Sequence, residues 1–112
     1  MDIATRHEGG FPVLVLKGRL NQGTADALHS AAMEAVDQAE KGLIIDMGGV
    51  DFIASVGIRA LIRPSQSLAM KGGKLAIANL SPKLSEFFGT TGLDQMFSVY
   101  ETVADAAAGL AS

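Results

Sequence analysis

Apolar positions along the chain change repeatedly between strand-like and helix-like spacing. Strand-like segments at 3–7 and 11–17 flank the glycine-containing stretch 8–10, which is typical of a hairpin turn. Apolar residues then recur at spacings of three and four, which predicts a helix capped by Thr24. We expect this helix to end at Lys41-Gly42, a basic last turn followed by a glycine.

The second half of the chain alternates in the same way. The continuous apolar run Leu43–Met47 predicts a strand covered on both faces, and Gly48-Gly49 predicts a turn after it. The elements expected next are a helix from Ser55 to about Lys71, a strand at 75–78, a short helix capped by Ser81, an edge strand at 97–100 and a closing helix begun by Thr102 with Asp105. The order β-β-α-β-α-β-α-β-α predicts an α/β fold with a mostly parallel central sheet.

Pro64 interrupts the second predicted helix. A proline inside a helix removes one backbone hydrogen bond and clashes with the carbonyl four residues earlier, here Ala60, which costs about 3 kcal/mol in a regular helix. The pattern leaves three outcomes open. The helix is kinked, it breaks into two short helices, or it restarts at Arg63-Pro64-Ser65 with proline in the first turn.

Composition narrows the class of protein. The 112 residues suit one domain spanning 1–112, with 48% hydrophobic residues and a formal net charge of −3. This charge, with the basic residues scattered along the chain, argues against nucleic-acid binding and against anionic membranes. The lack of cysteine excludes thiol catalysis and thiolate metal sites. No apolar run reaches the roughly 18–20 residues of a membrane span, so we expect a cytoplasmic protein without direct membrane insertion.

Polar residues collect at the predicted carboxyl ends of the strands. Three loops should leave strands there, at 18–23, 48–54 and 79–80, and the helix that starts at Ser55 begins at the same edge. In open parallel sheets, ligand and regulatory sites gather at this edge. The residues expected to lie near one another are Arg19, Asn21, Asp46, Asp51, Ser55 and Asn79.

Ser55 permits two interpretations. At a helix start, its hydroxyl would lie beside unpaired N–H groups and the positive end of the helix dipole, which suits a phosphate. The same position is a good N-cap, which requires no function. Gly57, without a Cβ, would let another chain or a nucleotide approach the serine closely. Asp46 likewise either satisfies loop N–H groups at the end of its strand or shapes the loop before Ser55.

The sequence gives little support for catalysis. The nucleophile motif Gly-x-Ser-x-Gly would need a glycine where Ile53 stands. His7 and His29 are not obviously within reach of Ser55, and we interpret both as solvated surface residues. The carboxylates do not have metal-ligand spacing. We therefore expect no catalytic residue, no metal site and no cofactor.

The stretch from Asp46 to Ile58 resembles the signature of the STAS domain, the sulphate-transporter and anti-sigma-factor-antagonist fold. It reads Asp-Met-Gly-Gly-Val-Asp-Phe-Ile-Ala-Ser-Val-Gly-Ile. Further resemblances lie at 16–21, 72–75 and 87–97, so the similarity covers nearly the whole chain in order. It implies a single STAS-like domain with an N-terminal hairpin and with helices packed mainly on one face of the sheet.

The resemblance also implies a function. In stand-alone members of the family, the serine at the position of Ser55 is phosphorylated by the partner, an anti-sigma factor that is also a serine kinase of the histidine-kinase-like ATPase type. The chain would then be an anti-sigma-factor antagonist that binds this partner when unphosphorylated, leaves it when phosphorylated and is reset by a serine phosphatase. The implied partner-binding residues are Arg19, Asn21, Ala54, Ser55, Val56, Gly57, Ile58 and Arg59.

Two positions depart from the family pattern. Ala54 stands where the family has an aspartate before the serine, and Asn21 stands where it has the aspartate of the first loop. Because both carboxylates lie by the phosphoacceptor in better-known members, kinase recognition and phosphorylation itself are open here. The alternatives are a STAS subunit of a lipid-transport ABC system, in which Ser55 is structural, and a small-ligand or nucleotide sensor that uses the same loops as a pocket.

Overall fold

One five-stranded sheet organises the computed structural model, which describes residues 1–39 and 41–111. The strands are β1 (Asp2–Glu8), β2 (Phe11–Leu20), β3 (Gly42–Ile53), β4 (Lys74–Ala78) and β5 (Ser98–Tyr100). The helices are α1 (Gln22–Gln38), α2 (Ser55–Met70), α3 (Pro82–Thr91), α4 (Leu93–Met96) and α5 (Val103–Ala111). This confirms the predicted order of strands and helices, with the short α4 added between α3 and β5.

The sheet has the order β1-β2-β3-β4-β5, with β1 antiparallel to β2 and all later neighbours parallel. Residues of β3 alternate between its two faces. Leu43, Ile45 and Met47 pack in the larger core with α1, α2 and α3. Ile44 packs on the opposite face with Val103 and other residues of α5. The helices therefore lie mainly on one face, as predicted, and α5 covers the other.

Strands β2 and β3 continue past the predicted ends, so the turn predicted at Gly48-Gly49 and the loop predicted at Arg19 are wrong. Two register shifts between the strands, at Val15/Lys17 and at Gly18/Arg19, absorb extra residues of β3 as bulges. A Cβ on Gly49 would lie 2.7 Å from the carbonyl oxygen of Leu16. The glycine therefore permits close approach of two strands rather than a reversal of the chain.

The ends of α1 differ from the prediction. Asn21, not Thr24, is the N-cap, and the helix ends at Gln38 with Ala39 as its C-cap. The expected end at Lys41-Gly42 is wrong because Gly42 already belongs to β3; Glu40, which the prediction also included, lies outside the described residues. The Nζ of Lys71 donates to the carbonyls of Val36 and Ala39, at 2.7 and 2.9 Å. A lysine that follows α2 thus binds carbonyls at the carboxyl end of α1.

Helix α2 runs without interruption from Ser55 to Met70, so of the three outcomes left open for Pro64 neither the break into two helices nor the restart occurs. Pro64 cannot donate to the carbonyl of Ala60. That carbonyl instead lies 3.3 Å from Nδ1 of His29 on α1. Because a carbonyl only accepts, Nδ1 carries the proton and donates. His29 is therefore half-buried between two helices and not a solvated surface residue, whereas His7 is exposed.

The later helix starts agree with their local signals. Ser81 accepts a hydrogen bond from the N–H of Leu84 at 3.2 Å, and Pro82 is the first residue of α3. Thr102 accepts one from the N–H of Asp105 at 3.0 Å.

Across residues 1–39 and 41–111, no helix has the length and apolar character needed to cross a membrane.

Candidate functional site

The candidate site is the start of α2, where Ser55 is the first helical residue. Ser55 was predicted as a possible N-cap, but the N-cap is Ala54, which is extended with φ −95° and ψ 163°. Ala54 has no side-chain oxygen, so no side chain caps this helix. The side chain of Ser55 is exposed and makes no hydrogen bond to the described residues. Its hydroxyl is open to solvent at the N-terminus of a sixteen-residue helix.

Backbone donors remain free beside this hydroxyl. The N–H of Gly57 donates to the carbonyl of Ala54 at 2.9 Å, and that of Ile58 to the same carbonyl at 3.3 Å. The N–H groups of Ser55 and Val56 meet no acceptor among residues 1–39 and 41–111. Together with the helix dipole, these two donors favour a negative charge at this end of α2.

The other long helices have capped starts. In α1, the N–H of Gly23 donates to Oδ1 of Asn21 and the N–H of Asn21 donates to Oγ1 of Thr24, both at 2.9 Å. Helices α3 and α5 have the serine and threonine caps described above. Among the described helices of nine or more residues, only α2 begins without a side-chain cap.

The start of α2 is held in place by contacts with the end of β2. The N–H of Ala54 donates to the carbonyl of Leu20 at 2.8 Å. A Cβ on Gly57 would lie 2.8 Å from Cδ2 of Leu20 and 3.2 Å from its carbonyl oxygen. The missing side chain of Gly57 thus serves packing within the domain, an explanation that sequence reasoning did not offer.

An aromatic and cationic surface adjoins the site. The guanidinium of Arg19 lies over the ring of Phe52, with its central carbon 4.3 Å from the ring centroid. Phe52 and Phe87 are both exposed, by 37% and 39%. The shallow groove around them has a volume of about 220 Å³ and is lined by Asp51, Phe52, Ile53, Lys83, Leu84 and Phe87. Sequence reasoning missed this surface because Phe87 reaches it from another helix.

Asp46 and Asn79 form a second polar cluster. Asp46 is only 9% exposed, and its Oδ1 accepts hydrogen bonds from the N–H of Gly48 at 2.9 Å and from Nδ2 of Asn79 at 3.0 Å. Asn79 has a positive φ of 62°, a conformation that asparagine tolerates better than most residues. No hydrogen bond within the described chain joins Ser55 to this pair. The prediction that Asp46 ends its strand is wrong because β3 continues to Ile53, but its Oδ1 does satisfy N–H groups, one within β3 and one on Asn79 just after β4.

The predicted partner-binding residues differ in accessibility. Arg19, Ser55 and Arg59 are exposed, while Asn21, Ala54 and Val56 are half-buried. Gly57 and Ile58 are buried against the domain itself. Within residues 1–39 and 41–111, no group of three or more His, Cys, Asp or Glu side chains is placed to hold a metal ion.

Known proteins are similar to this chain over nearly its whole length. The anti-sigma-F factor antagonist RsfB of Mycobacterium tuberculosis is 29% identical over 110 residues, which is 96% of this chain and 88% of RsfB. A solved anti-sigma factor antagonist from Mycobacterium paratuberculosis is 27% identical with a TM-score of 0.87, over 99% of this chain and 94% of that one.

A solved anti-sigma-factor antagonist (STAS) domain protein from Planctomyces limnophilus is 25% identical with a TM-score of 0.86, over 100% of both chains. The family model of the STAS domain matches residues 2–106. These residues include all five strands and the uncapped start of α2. The chain therefore belongs to the STAS domain family.

Proposed function

We propose that this chain is an anti-sigma-factor antagonist that switches partners through Ser55. Unphosphorylated, it binds an anti-sigma factor that is also a serine kinase of the histidine-kinase-like ATPase type. Phosphorylation of Ser55 by that kinase releases the complex, and a serine phosphatase restores the binding form. The proposal makes the chain a binding module and requires no cofactor. Two observations support it: the similarity of the chain to anti-sigma-factor antagonists, and the geometry at the start of α2.

The observation that carries the proposal is the uncapped helix start at Ser55. An exposed hydroxyl without an intramolecular hydrogen bond can enter the active site of a kinase without unfolding the domain. A phosphoryl group there would bring about −1.5 to −2 charges and three acceptor oxygens. The free N–H groups of Ser55 and Val56 are suited to receive one of these oxygens. The domain would tolerate the added charge with little change of fold.

Release of the partner would follow from the position of the phosphate on Ser55. The half-buried Val56 follows Ser55, the exposed Arg59 lies one helical turn further on, and the exposed Arg19 precedes Leu20, whose carbonyl accepts a hydrogen bond from the N–H of Ala54. A partner that covers this surface must remove water from it, and an unmatched phosphate would then be buried at a high cost. The same group that suits the helix would therefore disfavour the complex.

The two departures from the family pattern affect the kinase more than the fold. The Oδ1 of Asn21 is engaged by Gly23, and Ala54 has no polar side chain, so neither offers the kinase a free carboxylate. Recognition of Ser55 would then rely on the backbone and on surrounding cations. The alternative in which Ser55 is structural receives no support from its side chain, which has no hydrogen-bond partner among the described residues.

The test is phosphorylation by the anti-sigma-factor kinase that co-purifies with the chain from its native lysate. The purified kinase with ATP should modify the wild type once. Ser55→Ala should remain unmodified, and Ser85→Ala, which removes another exposed helical serine, should be modified like the wild type. Phosphate at full yield on Ser55→Ala would refute the proposal.

A further inference from the structure

One face of α2 is exposed along its entire length. We call it the α2 ribbon, and it consists of Ser55, Arg59, Arg63, Gln66 and Met70, which are all exposed. Their spacings of three and four place them on one side of the helix. At 1.5 Å per residue, the ribbon extends roughly 22 Å from the candidate phosphorylation site. This length is sufficient for the ribbon to form one side of an interface with another protein.

The ribbon carries two cations that no carboxylate of the described residues neutralises. Within the described chain, neither Arg59 nor Arg63 forms an ion pair; the pair that is present joins Arg6 to Glu8 on β1. The segment 55–70 contains no aspartate or glutamate. Two unpaired guanidinium groups therefore share one helix face on a chain whose net charge is −3. Such a local reversal of sign is a basis for electrostatic complementarity.

The far end of the ribbon is apolar. Met70 is 89% exposed, more than any other large hydrophobic residue of the described chain. Methionine is flexible and adapts to irregular recesses on a partner. Because a single exposed methionine is not by itself informative, its meaning depends on its alignment with the two arginines.

We infer that the α2 ribbon docks an acidic surface of the partner protein, with Arg59 and Arg63 facing its carboxylates and Met70 at the edge of the contact. The inference rests on the proposed function and names the chemistry that the partner must present. A protein surface fits better than nucleic acid or an anionic membrane, since two cations on a chain of net charge −3 are too few for either.

The ribbon also gives the switch a second component. Ser55 and Arg59 are four residues apart, so a phosphoserine at 55 can pair with the guanidinium one turn later. That pairing would withdraw Arg59 from the partner while the phosphate repels the partner's carboxylates. Arg63, a further turn away, lies beyond the reach of this exchange. It should therefore contribute to binding without affecting how Ser55 is phosphorylated.

The experiment compares charge reversals on and off the ribbon. Arg63→Glu and Arg59→Glu are compared with Arg6→Glu, which makes the same change of net charge on exposed β1. Affinity for the purified anti-sigma-factor kinase is measured by calorimetry at low and high salt. Each ribbon variant should bind roughly tenfold more weakly at low salt and show a flatter salt dependence, and Arg6→Glu should stay within about twofold of wild type. Arg63→Gln removes the positive charge without reversing it and should have an intermediate effect on affinity. A loss of affinity that is graded with charge in this way would argue against misfolding as its cause.

The outcomes separate this inference from the proposed function. If both ribbon variants bind like wild type, or no worse than Arg6→Glu, the ribbon is not the docking surface, although phosphorylation of Ser55 can still hold. If wild type binds phosphatidylserine vesicles through Arg63 while kinase affinity is unaffected by Arg63→Glu, the ribbon serves a membrane and the inference is overturned. If wild type binds no anti-sigma-factor kinase, the proposed function fails and this inference fails with it.

Discussion

Two strand-to-helix junctions of this domain have the same layout, but side chains cap one helix start and not the other. Strand β2 ends at Leu20 and passes through Asn21 into α1, while β3 ends at Ile53 and passes through Ala54 into α2. Leu20 and Ile53 are paired in the sheet, so both helices start from the same edge. The start of α1 is closed by two hydrogen bonds, one from the N–H of Gly23 to Oδ1 of Asn21 and one from the N–H of Asn21 to Oγ1 of Thr24. The start of α2 has no such cap.

The difference shows which helix start lacks the stabilisation that a side-chain cap provides. A side-chain cap typically contributes about 1 kcal/mol, and an alanine in its place leaves backbone donors to water or to a ligand. At α1 the domain has this contribution. At α2 it lacks it, and an exposed serine stands beside the free donors. We therefore expect α1 to respond to substitution as a structural junction and α2 as a surface that accepts charge.

The largest expected effect tests how closely α2 sits on β2. Gly57→Ala should lower the free energy of unfolding by about 1–3 kcal/mol, because the new Cβ meets the fully buried Leu20. The matched control is Gly23→Ala in the first turn of α1, where the nearest atom would be 3.4 Å away at Oδ1 of Asn21. Urea denaturation of both variants measures the difference. Equal stability would show that the two junctions are packed alike.

The next effect concerns the caps themselves. Asn21→Ala should cost about 1 kcal/mol, because the N–H of Gly23 loses its acceptor and the reciprocal arrangement with Thr24 is lost. Ser55→Ala should change the free energy of unfolding by less than about 0.5 kcal/mol, since the exposed hydroxyl has no partner in the described domain. Shifts in the urea midpoint at an unchanged slope give both values. A loss at Ser55 as large as that at Asn21 would mean that the hydroxyl is structural.

The remaining expected effect on stability is a gain, and it is smaller than the loss expected for Gly57→Ala. Ala54→Asp places an acceptor at the N-cap of α2, where the extended backbone of Ala54 already suits a capping residue. It should raise the free energy of unfolding by about 0.5–1 kcal/mol, and Ala54→Asn should separate the hydrogen bond from the charge. Thermal unfolding of the three chains makes the comparison. If neither variant were more stable than wild type, the donors of α2 would not be free.

Local signals predicted the elements whose causes are local. Ser81 followed by Pro82, and Thr102 followed by Asp105, mark helix starts because the cap and its N–H partner are three residues apart. Thr24 was predicted to cap α1, but the cap is Asn21, three residues earlier. Only the structure shows that Thr24 lies inside the helix and serves as the reciprocal partner. The sequence was therefore informative about the junction and less so about the role of each residue.

Contacts between distant residues explain what the sequence did not show. The paired glycines of β3 suggested a turn, but Gly49 is where β2 approaches too closely for a side chain, and a Cβ on Gly48 would face Asp46 and Asn79 instead. Pro64 suggested a break, but the carbonyl that it leaves unpaired receives His29 from 31 residues earlier in the chain. At the candidate site, the position of Ser55 was predicted to within one residue of the helix boundary. The absence of a cap beside it, and the exposed face of α2 that continues from it, required the structure.

The most direct test of the account is the partner affinity of a chain carrying phosphoserine at position 55. The modified chain, the unmodified chain and a control with phosphoserine at position 85 are titrated with the same anti-sigma-factor kinase. We predict that phosphoserine at 55 weakens binding by at least about 100-fold while the fold is retained, and that the same charge at 85 has little effect. Equal affinity of the chain modified at 55 and the unmodified chain would contradict the claim that the open start of α2 controls the choice of partner.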